Sequence, residues 1–220
     1  MQISRAISAV IPSLEGSTLA VLARTTAPLT APTIARLAAS GTYHGIRKVL
    51  LRLVESGVVS EVIAGPHVLY AANREHILWP SLEALLVTAD SAQLTLADRL
   101  AAAVRRSLAA IERDADDLTI ALFGSVARGD DTPESDVDLL AIFVDDFDEV
   151  HSQQLLDEIS RDVTAWTGNA CNIYSISRAE LQRLVLAKDP IVASWETDAR
   201  TICGPELQPL IAAIRREPNS

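Results

Sequence analysis

The stretch that decides the fold of the second half of the chain runs from 122 to 140 and reads LFGSVARGDDTPESDVDLL. It begins as an apolar strand, turns at Gly124-Ser125, and passes through a loop rich in glycine, proline and acids. It ends at Asp136-Val137-Asp138, just before a second apolar run. A strand alone needs none of these features, so the interruption indicates a site with its own chemistry.

The Gly124-Ser125 pair is suited to hold a phosphate group. The run DLTIALF at 117–123 predicts a buried strand that leads into it. Small residues directly after a strand let the backbone approach phosphate oxygens closely. Free amide N–H groups and the serine hydroxyl can then donate hydrogen bonds to those oxygens. We therefore predict a phosphate-binding turn at this position.

The two aspartates, Asp136 and Asp138, are predicted to point to the same side, because side chains alternate between the faces of a strand. Val137 and Leu139 then face the core. Neighbouring carboxylates are costly unless a cation neutralises them. Mg²⁺ prefers carboxylate oxygens and keeps coordination positions open for substrate phosphates. A pair of such ions can activate an attacking oxygen and stabilise leaving pyrophosphate. The spacing thus predicts a Mg²⁺ site.

Gly124-Ser125, ten residues and then Asp136-x-Asp138 resembles the signature of the DNA polymerase beta-like nucleotidyltransferase superfamily. The segments GSVARG (124–129) and SDVDLL (135–140) are most similar to its minimal nucleotidyltransferase branch, known as the antitoxin-like partner in toxin–antitoxin operons. The resemblance covers approximately residues 117–204. It implies an α/β domain with a mixed sheet that moves a nucleoside monophosphate from an NTP to a protein tyrosine or an RNA end.

The resemblance also implies roles for individual residues. Gly124 and Ser125 would hold the triphosphate, and Asp136 and Asp138 would be the catalytic residues that ligate Mg²⁺. Arg128 lies in the helix predicted after the turn, where it would steady the phosphates. A salt bridge from Arg128 to one of the nearby acids is an equally open interpretation. Those acids are Asp130, Asp131 and Glu134.

Asn172 departs from the family pattern, which places a third carboxylate on the next strand. That strand is predicted at 169–175, after an amphipathic helix at 150–168. An amide can ligate a metal through its oxygen, but it cannot take a proton. Three outcomes stay open: NTP·Mg²⁺ binding with weak or altered catalysis, a retired transferase that senses nucleotides or binds a partner, or a misalignment in which Asp162 or another acid completes the site. The sequence is thus compatible with an active nucleotidyltransferase and with an inactive transferase fold.

In the first third of the chain, capping and turn residues divide the sequence into short helices followed by a hairpin. A first helix is predicted at 17–26, and a second at 32–39 with Thr30 as its N-cap. Thr42 is predicted to cap a third helix, whose apolar stripe has the i, i+3, i+4, i+7 spacing of one helix face and consists of Ile46, Val49, Leu50 and Leu53. The β-prone runs 58–63 and 67–72 follow. This order is typical of a winged helix-turn-helix. The segment TYHGIRKVLLRLVESGVV (42–59) resembles the recognition helix of bacterial winged-helix regulators.

A recognition helix reaches bases and phosphates with the polar residues near its N-terminus. The net charge is −10, but the first 80 residues carry +3 and the remaining 140 carry −13, which suggests two modules with different partners. We therefore predict DNA binding, although protein contacts or RNA are alternative uses of such a domain. The predicted DNA-binding residues are Thr42, Tyr43, His44, Arg47 and Lys48.

The predicted fold class is α+β, with a winged helix-turn-helix at 1–80, a helical linker at 81–116 and a nucleotidyltransferase-fold domain at 117–220. The segment 189–210 is predicted to form a helix, a short strand at 199–204 and a closing helix, with Trp195 in the core. A stripe of apolar residues four positions apart on a linker helix either packs on its own domain or forms the seam of a homodimer, which palindrome binding would require. The stripe consists of Leu96, Leu100, Val104 and Leu108.

No apolar run approaches the ~18 to 20 residues that cross a bilayer, and the N-terminus lacks the features of a signal peptide. We expect a cytoplasmic protein with core thiols at Cys171 and Cys203, no membrane partner, and DNA and a toxin-like protein or RNA acceptor as partners. The leading hypothesis is a DNA-binding nucleotidyltransferase that regulates a toxin–antitoxin operon. The alternative is a non-catalytic transcriptional regulator.

Overall fold

The structure is a computed structural model that describes residues 1–216. The chain forms two compact units, which are described separately below. The N-terminal unit is Arg5–Ala92, and the C-terminal unit is Met1–Ser4 together with Gln93–Ser220. Positions 217–220, which close the predicted domain 117–220, lie outside the described residues. Helices and sheets are mixed throughout, as the predicted α+β class requires.

The N-terminal unit consists of helices packed on a small antiparallel sheet. A 3₁₀ segment at Ile3–Ala9, whose first two residues belong to the C-terminal unit, precedes these helices. The elements of the unit are α1 Leu14–Ala23, β1 Leu29–Thr30, α2 Ala31–Leu37, α3 Tyr43–Glu55, β2 Val59–Ala64, β3 His67–Ala72 and α4 Trp79–Asp90. Within this fully described unit, the three strands are ordered β1-β3-β2. The predicted helices and hairpin are present, whereas the short strand β1 was not predicted because two residues give no periodic signal.

Local capping explains where α2 and α3 begin. The Thr30 hydroxyl accepts a hydrogen bond from the Thr33 amide at 3.3 Å, and the Thr42 hydroxyl accepts one from the Gly45 amide at 3.3 Å. Both N-caps were predicted. The apolar stripe of α3 is buried against the other helices of the unit, as its spacing predicted. It consists of Ile46, Val49, Leu50 and Leu53.

The segment 81–116 contributes to both units. It holds most of α4 and all of α5, Ala92–Ala110. Pro80 stands in the first turn of α4, where a missing N–H costs no hydrogen bond, so it starts the helix and does not interrupt it. The predicted stripe of α5 is buried within the chain itself. It is therefore not exposed as a dimer seam.

The C-terminal unit is built around a mixed sheet. After α5 and a 3₁₀ turn at Ala115–Asp117, its elements are β4 Leu118–Phe123, α6 Gly124–Arg128, β5 Val137–Phe143, α7 Glu149–Thr167, β6 Cys171–Ser177, α8 Arg178–Leu186, α9 Pro190–Asp198, β7 Arg200–Cys203 and α10 Leu207–Arg216. Within the described residues, four strands are ordered β6-β5-β4-β7. Strands β5 and β6 are parallel and the other pairs are antiparallel.

The register of this sheet brings the motif residues to one end. Asp138 lies opposite Phe123 of β4 and opposite Asn172 of β6. Further along the same sheet face, Leu140 enters a core that includes Trp195, which is fully buried as predicted, and Leu207. Residues from α8, α9 and α10 thus cover this face and leave its polar end accessible.

Among residues 1–216, no single helix has both the length and the apolar character needed to cross a membrane. The segments Ile3–Ala9 and Leu14–Ala23 are long and apolar enough when they are taken together, but they are bent relative to each other. The buried residues of the second segment include Leu19, Val21 and Leu22, which belong to the core of the N-terminal unit.

Candidate nucleotide site

The turn between β4 and α6 lies close to a carboxylate. Gly124 has a φ of +73°, which favours glycine, and a Cβ at this position would lie only 2.7 Å from Oδ2 of Asp138. Any larger residue would therefore be strained and would displace the carboxylate. The close approach of backbone to Asp138 places the predicted phosphate turn beside the predicted metal ligands.

The turn also presents unused backbone donors. Phe123 precedes α6 without supplying a side-chain cap, so the first amide groups of the helix have no partner within it. Ser125 is half-buried in the first turn of α6. Its carbonyl accepts hydrogen bonds from the amides of Gly129 at 2.9 Å and Asp130 at 3.1 Å, which close the helix. These contacts hold the turn in a shape that leaves its N-terminal donors for a ligand.

Asp136 and Asp138 flank a buried residue at the start of β5. Val137 and Leu139 are fully buried, as the predicted alternation requires, while Asp136 is exposed and Asp138 is half-buried. The side-chain amide of Asn172 donates to Oδ2 of Asp136 at 2.9 Å and to Oδ1 of Asp138 at 3.4 Å. One amide therefore bridges both carboxylates.

The electrostatics of this group are unfavourable in the absence of a cation. Burial raises the pKa of Asp138 above its usual value, the negative charge of Asp136 raises it further, and the hydrogen bond from Asn172 offsets part of the effect. Asn172 carries no charge, so it orients the carboxylates without neutralising them. A bound cation would stabilise the ionised form of both acids.

Cys171 lies next to Asn172 and is half-buried, unlike Cys203, which is buried as predicted. Burial raises the pKa of the Cys171 thiol to about 12, and the charges of Asp138 and Asp136 add to this effect. The thiol is therefore protonated at neutral pH and is a poor nucleophile. It contributes packing beneath the site.

These residues fit Mg²⁺ of the kind that binds together with a substrate. Mg²⁺ is commonly held by one or two carboxylates and completes its shell with water and phosphate oxygens. Asp136 and Asp138 supply the carboxylates, and a half-turn of the Asn172 amide would add an oxygen. Within residues 1–216, no group of three or more His, Cys, Asp or Glu side chains is placed to hold a metal. In that described part of the chain, Asp162 therefore does not complete the site; it lies on α7, with Arg161 at 3.9 Å.

Arg128 is held by two acids. Its Nη1 lies 2.5 Å from Oδ2 of Asp198 at the end of α9, and its Nε lies 3.2 Å from Oδ2 of Asp130. The hydrogen bond to Asp198, followed by that to Asp130, raises the pKa of Arg128. The salt-bridge interpretation is thus correct for Asp130. Asp198 was missed because it lies far away in the sequence.

Asp131, which was considered as a partner of Arg128, has a different role. It is almost completely buried and accepts hydrogen bonds from the amides of Ile3 at 2.5 Å and Ser4 at 3.2 Å. A buried carboxylate needs such donors because it cannot be solvated. Asp131 therefore fastens the start of the chain to the loop that leads to Asp136.

The predicted DNA-binding residues are all exposed and lie at the N-terminal end of α3. The rings of Tyr43 and His44 meet edge to face with centroids 5.4 Å apart. Thr42 caps the helix. Arg47 and Lys48 form no ion pair among residues 1–216, whereas other arginines of the unit do. Those pairs are Arg24–Asp90, Arg52–Glu15 and Arg74–Glu83.

Comparison with known proteins gives one domain assignment. Residues 104–185 match the family model of the nucleotidyltransferase domain. The match is less than half of the chain, but it contains the turn, both aspartates and Asn172. No curated protein matches the chain. A match among solved structures is tri-AMPylated Shewanella oneidensis HEPN toxin in complex with MNT antitoxin, with 14% identity, coverage of 56% of this chain and 84% of that chain, and a TM-score of 0.32.

Proposed function

We propose that the C-terminal unit, which contains the matched nucleotidyltransferase domain, binds an NTP with Mg²⁺ and transfers its nucleoside monophosphate to an acceptor. The observation that carries the proposal is how closely the Asp138 carboxylate packs on Gly124, where an added Cβ would lie 2.7 Å from Oδ2. It brings phosphate donors and metal ligands within reach of one ligand. Gly124 and Ser125 would hold the triphosphate, and Asp136 and Asp138 would hold the cation.

The transfer would proceed by displacement at phosphorus. An acceptor oxygen attacks the α-phosphorus, and a new P–O bond forms as the bond to the bridging oxygen breaks. Pyrophosphate leaves with the bonding electrons, and the acceptor proton passes to solvent. Mg²⁺ in such a site supplies positive charge that stabilises the developing negative charge. Asp136 and Asp138 would hold the ion, and Asn172 orients both carboxylates by donating a hydrogen bond to each.

Arg128 supports the phosphate turn. Its ion pairs with Asp130 and Asp198 join the end of α6 to the end of α9, so its charge is largely compensated. We propose that it steadies the bound phosphates mainly by fixing α6. On this view Asp198 is a positioning residue, and Asp198→Asn should weaken NTP binding without changing the identity of the preferred nucleotide.

Asn172 favours a second candidate, a regulator that binds a nucleotide without turnover. An amide cannot accept the acceptor's proton, and the loss of a general base lowers rates by about 10² to 10⁴-fold. In this alternative the same residues bind NTP·Mg²⁺, and the occupied unit acts as a sensor or a partner-binding surface. The two candidates share the site and differ only in turnover.

The decisive experiment follows label from α-labelled NTPs in the full-length protein. Each of the four NTPs is offered with Mg²⁺ and with protein and RNA acceptors. We expect label transfer that is abolished by Asp136→Asn with Asp138→Asn. The control removes two carboxylates from α7 by Asp157→Asn with Asp162→Asn and should leave transfer intact. Persistent transfer in the first double variant would refute the assigned site.

Asn172→Asp separates the two candidates. If the transferase has lost its third acid, this substitution should raise the transfer rate by at least about 10-fold. The sensor hypothesis instead predicts tight NTP binding and no gain. Equilibrium binding of each NTP, measured in parallel, shows that any change in rate is not a change in occupancy.

We propose that the N-terminal unit is a winged helix-turn-helix that binds duplex DNA. Support comes from the exposed polar residues at the start of α3, among which Arg47 and Lys48 are not committed to ion pairs in the described chain. Arg47→Ala with Lys48→Ala should weaken DNA binding. The negative slope of log K against log salt should become shallower by about 2, because two phosphate contacts are lost. Arg24→Ala, which removes an ion-paired arginine, is the control.

Fluorescence anisotropy with duplex DNA and with RNA of the same length tests this prediction. Preferential loss of RNA binding would favour an RNA-modifying enzyme in place of a DNA-binding regulator. We further propose that the protein works in the cytoplasm as a homodimer that regulates its own operon, with a toxin-like protein or an RNA as the acceptor. The buried stripe of α5 means that a dimer would use a different surface.

A further inference from the structure

We infer that Tyr174 is the platform on which the base of the bound nucleotide stacks. The inference rests on the proposed NTP site and adds the residue that contacts the base. It concerns a side chain that the sequence motif does not include, on the strand beside the two aspartates.

Strand geometry places Tyr174 next to the metal-ligand group. Asn172 and Tyr174 are two residues apart on β6, so their side chains lie on the same face of the sheet. Their Cα atoms are separated by about 6.6 Å along the strand, given a rise of ~3.3 Å per residue. Tyr174 is opposite Leu140, just as Asn172 is opposite Asp138. It is therefore the first side chain on this face beyond the amide that bridges the carboxylates.

The exposure of Tyr174 is unusual for its position. The residues around it on this face, Leu140 and Ile176, are buried, but Tyr174 is 41% exposed. Strand β6 lies at the edge of the sheet, which leaves one side of the residue open. An accessible aromatic ring beside a phosphate and metal site is the surface that a nucleobase requires for stacking.

The ring of Tyr174 is supported from behind. Its centroid lies 5.6 Å from that of Trp195, with the planes tilted by 55°, and Trp195 is fully buried. Such an aromatic pair restrains the Tyr174 ring while part of its surface stays accessible. The platform is thus preorganised, which lowers the entropic cost of binding a base.

Helix α9 joins this platform to the phosphate turn. Trp195 contacts Tyr174, and Asp198, one helical turn later, holds Arg128 at the end of α6. Both ends of the proposed nucleotide site are therefore fixed by the same helix. A nucleotide with its phosphates at Gly124 and its base at Tyr174 would lie along the accessible end of the sheet face.

The chemistry of the platform indicates how the base would be selected. Stacking on tyrosine uses the π-face that every base possesses, so it tolerates all four bases and favours those with larger rings. We therefore expect purine NTPs to bind more tightly than pyrimidine NTPs. The preference should depend on Tyr174 and not on the carboxylates.

Isothermal titration of the full-length protein with Mg·ATP and with Mg·tripolyphosphate tests the inference, because the second ligand has no base. Tyr174→Ala should weaken ATP binding by about 5- to 150-fold, the range that base–aromatic stacking covers. Tripolyphosphate binding should change by less than about 2-fold. Tyr174→Phe keeps the ring and should bind both ligands as the unaltered protein does. Tyr174→Leu keeps apolar contact with Trp195 without a π-face and should behave as the alanine variant, which provides the result if the alanine variant does not fold.

Two contrary outcomes are distinguishable. If Tyr174→Ala and Tyr174→Leu weaken ATP and tripolyphosphate equally, or leave ATP binding unchanged, the platform is refuted while the NTP site stands. If the unaltered protein binds neither ligand, the proposed function itself fails and the inference fails with it.

Discussion

The two units place their charged residues in opposite ways. In the N-terminal unit, Arg47 and Lys48 are exposed at the start of α3, where water solvates them. In the C-terminal unit, Asp138 is half-buried beside Asp136, and burial raises its pKa. Exposed charges cost little and so say little about function, whereas a half-buried carboxylate beside a second carboxylate is unfavourable without a ligand. The aspartate pair of the C-terminal unit is therefore stronger evidence for a ligand than the Arg47–Lys48 pair of the N-terminal unit.

Each unit also has its own apolar core. The N-terminal core includes Leu22 and Leu50, and the C-terminal core includes Leu140 and Trp195. Substitutions at the carboxylates should therefore act on one unit, and substitutions at α3 on the other. The following predictions test this separation, beginning with the largest expected effect.

Asp136→Asn with Asp138→Asn should lose Mg·NTP binding by more than about 100-fold, because the charge that attracts the cation is gone. Without ligand, the double variant should unfold at the same temperature as the unaltered protein or at a higher one, since the repulsion between the carboxylates is removed. Differential scanning calorimetry without nucleotide, and with Mg·NTP at about 100 times its Kd, measures both effects; at that concentration the unaltered protein should gain about 2.7 kcal/mol. A lower melting temperature of the unliganded variant would show that the pair is structural.

Asp131→Ala should destabilise the C-terminal unit by about 1 to 3 kcal/mol, because the amides of Ile3 and Ser4 lose a buried acceptor. Urea unfolding followed by circular dichroism gives the free energy of unfolding. The DNA binding proposed for α3 should be unchanged. Equal destabilisation by Asp130→Ala, which removes an exposed neighbour, would contradict the assigned role.

Gly124→Ala should weaken NTP binding by about 10-fold or more, since a positive φ costs about 1 to 3 kcal/mol in a non-glycine residue and the added Cβ would press on Asp138. Titration with Mg·ATP measures the loss. Gly129→Ala, at a positive φ with no atom within 4 Å of the added Cβ, is the matched control. If both variants lose binding equally, backbone strain and not contact with Asp138 is responsible.

Thr42→Ala should have the smallest effect, a loss of about 1 kcal/mol in the stability of the N-terminal unit, because the Gly45 amide loses its cap. Thermal unfolding followed by circular dichroism detects it. Thr42→Ser, which keeps the hydroxyl, should restore stability. NTP binding should be unaffected in both variants, and a change there would contradict the independence of the two units.

Local signals explain which parts of the fold were predictable. The caps Thr30 and Thr42, the stripe of α3 and the alternation around Val137 are encoded within a few residues, so the sequence predicts them correctly. The sequence does not distinguish a proline that starts a helix, as Pro80 does, from one that interrupts a helix, because the two differ only in tertiary context. Strand β1 forms because Leu29 and Thr30 pair with β3, and no local sequence pattern predicts this pairing.

The candidate site divides in the same way. The spacing from Gly124-Ser125 to Asp136 and Asp138 is a local motif that predicted a phosphate turn and a metal-ligand pair. Tyr174 carried a usable signal, since it follows Asn172 with the two-residue period of a strand. No local sequence signal pointed to Asp198, because its partner Arg128 lies 70 residues earlier in the chain.

By itself, the sequence determined the α+β class, the helices and strands, and the motif that points to nucleotide chemistry, since hydrophobic periodicity, capping and turn residues act over short distances. Only the tertiary structure decided how these parts meet. It placed the Asn172 amide between two aspartates, paired Arg128 with Asp198 in a salt bridge, and buried Asp131 against the start of the chain. Such contacts depend on which strands pair and which helices pack, and these choices depend on the energy of the whole core.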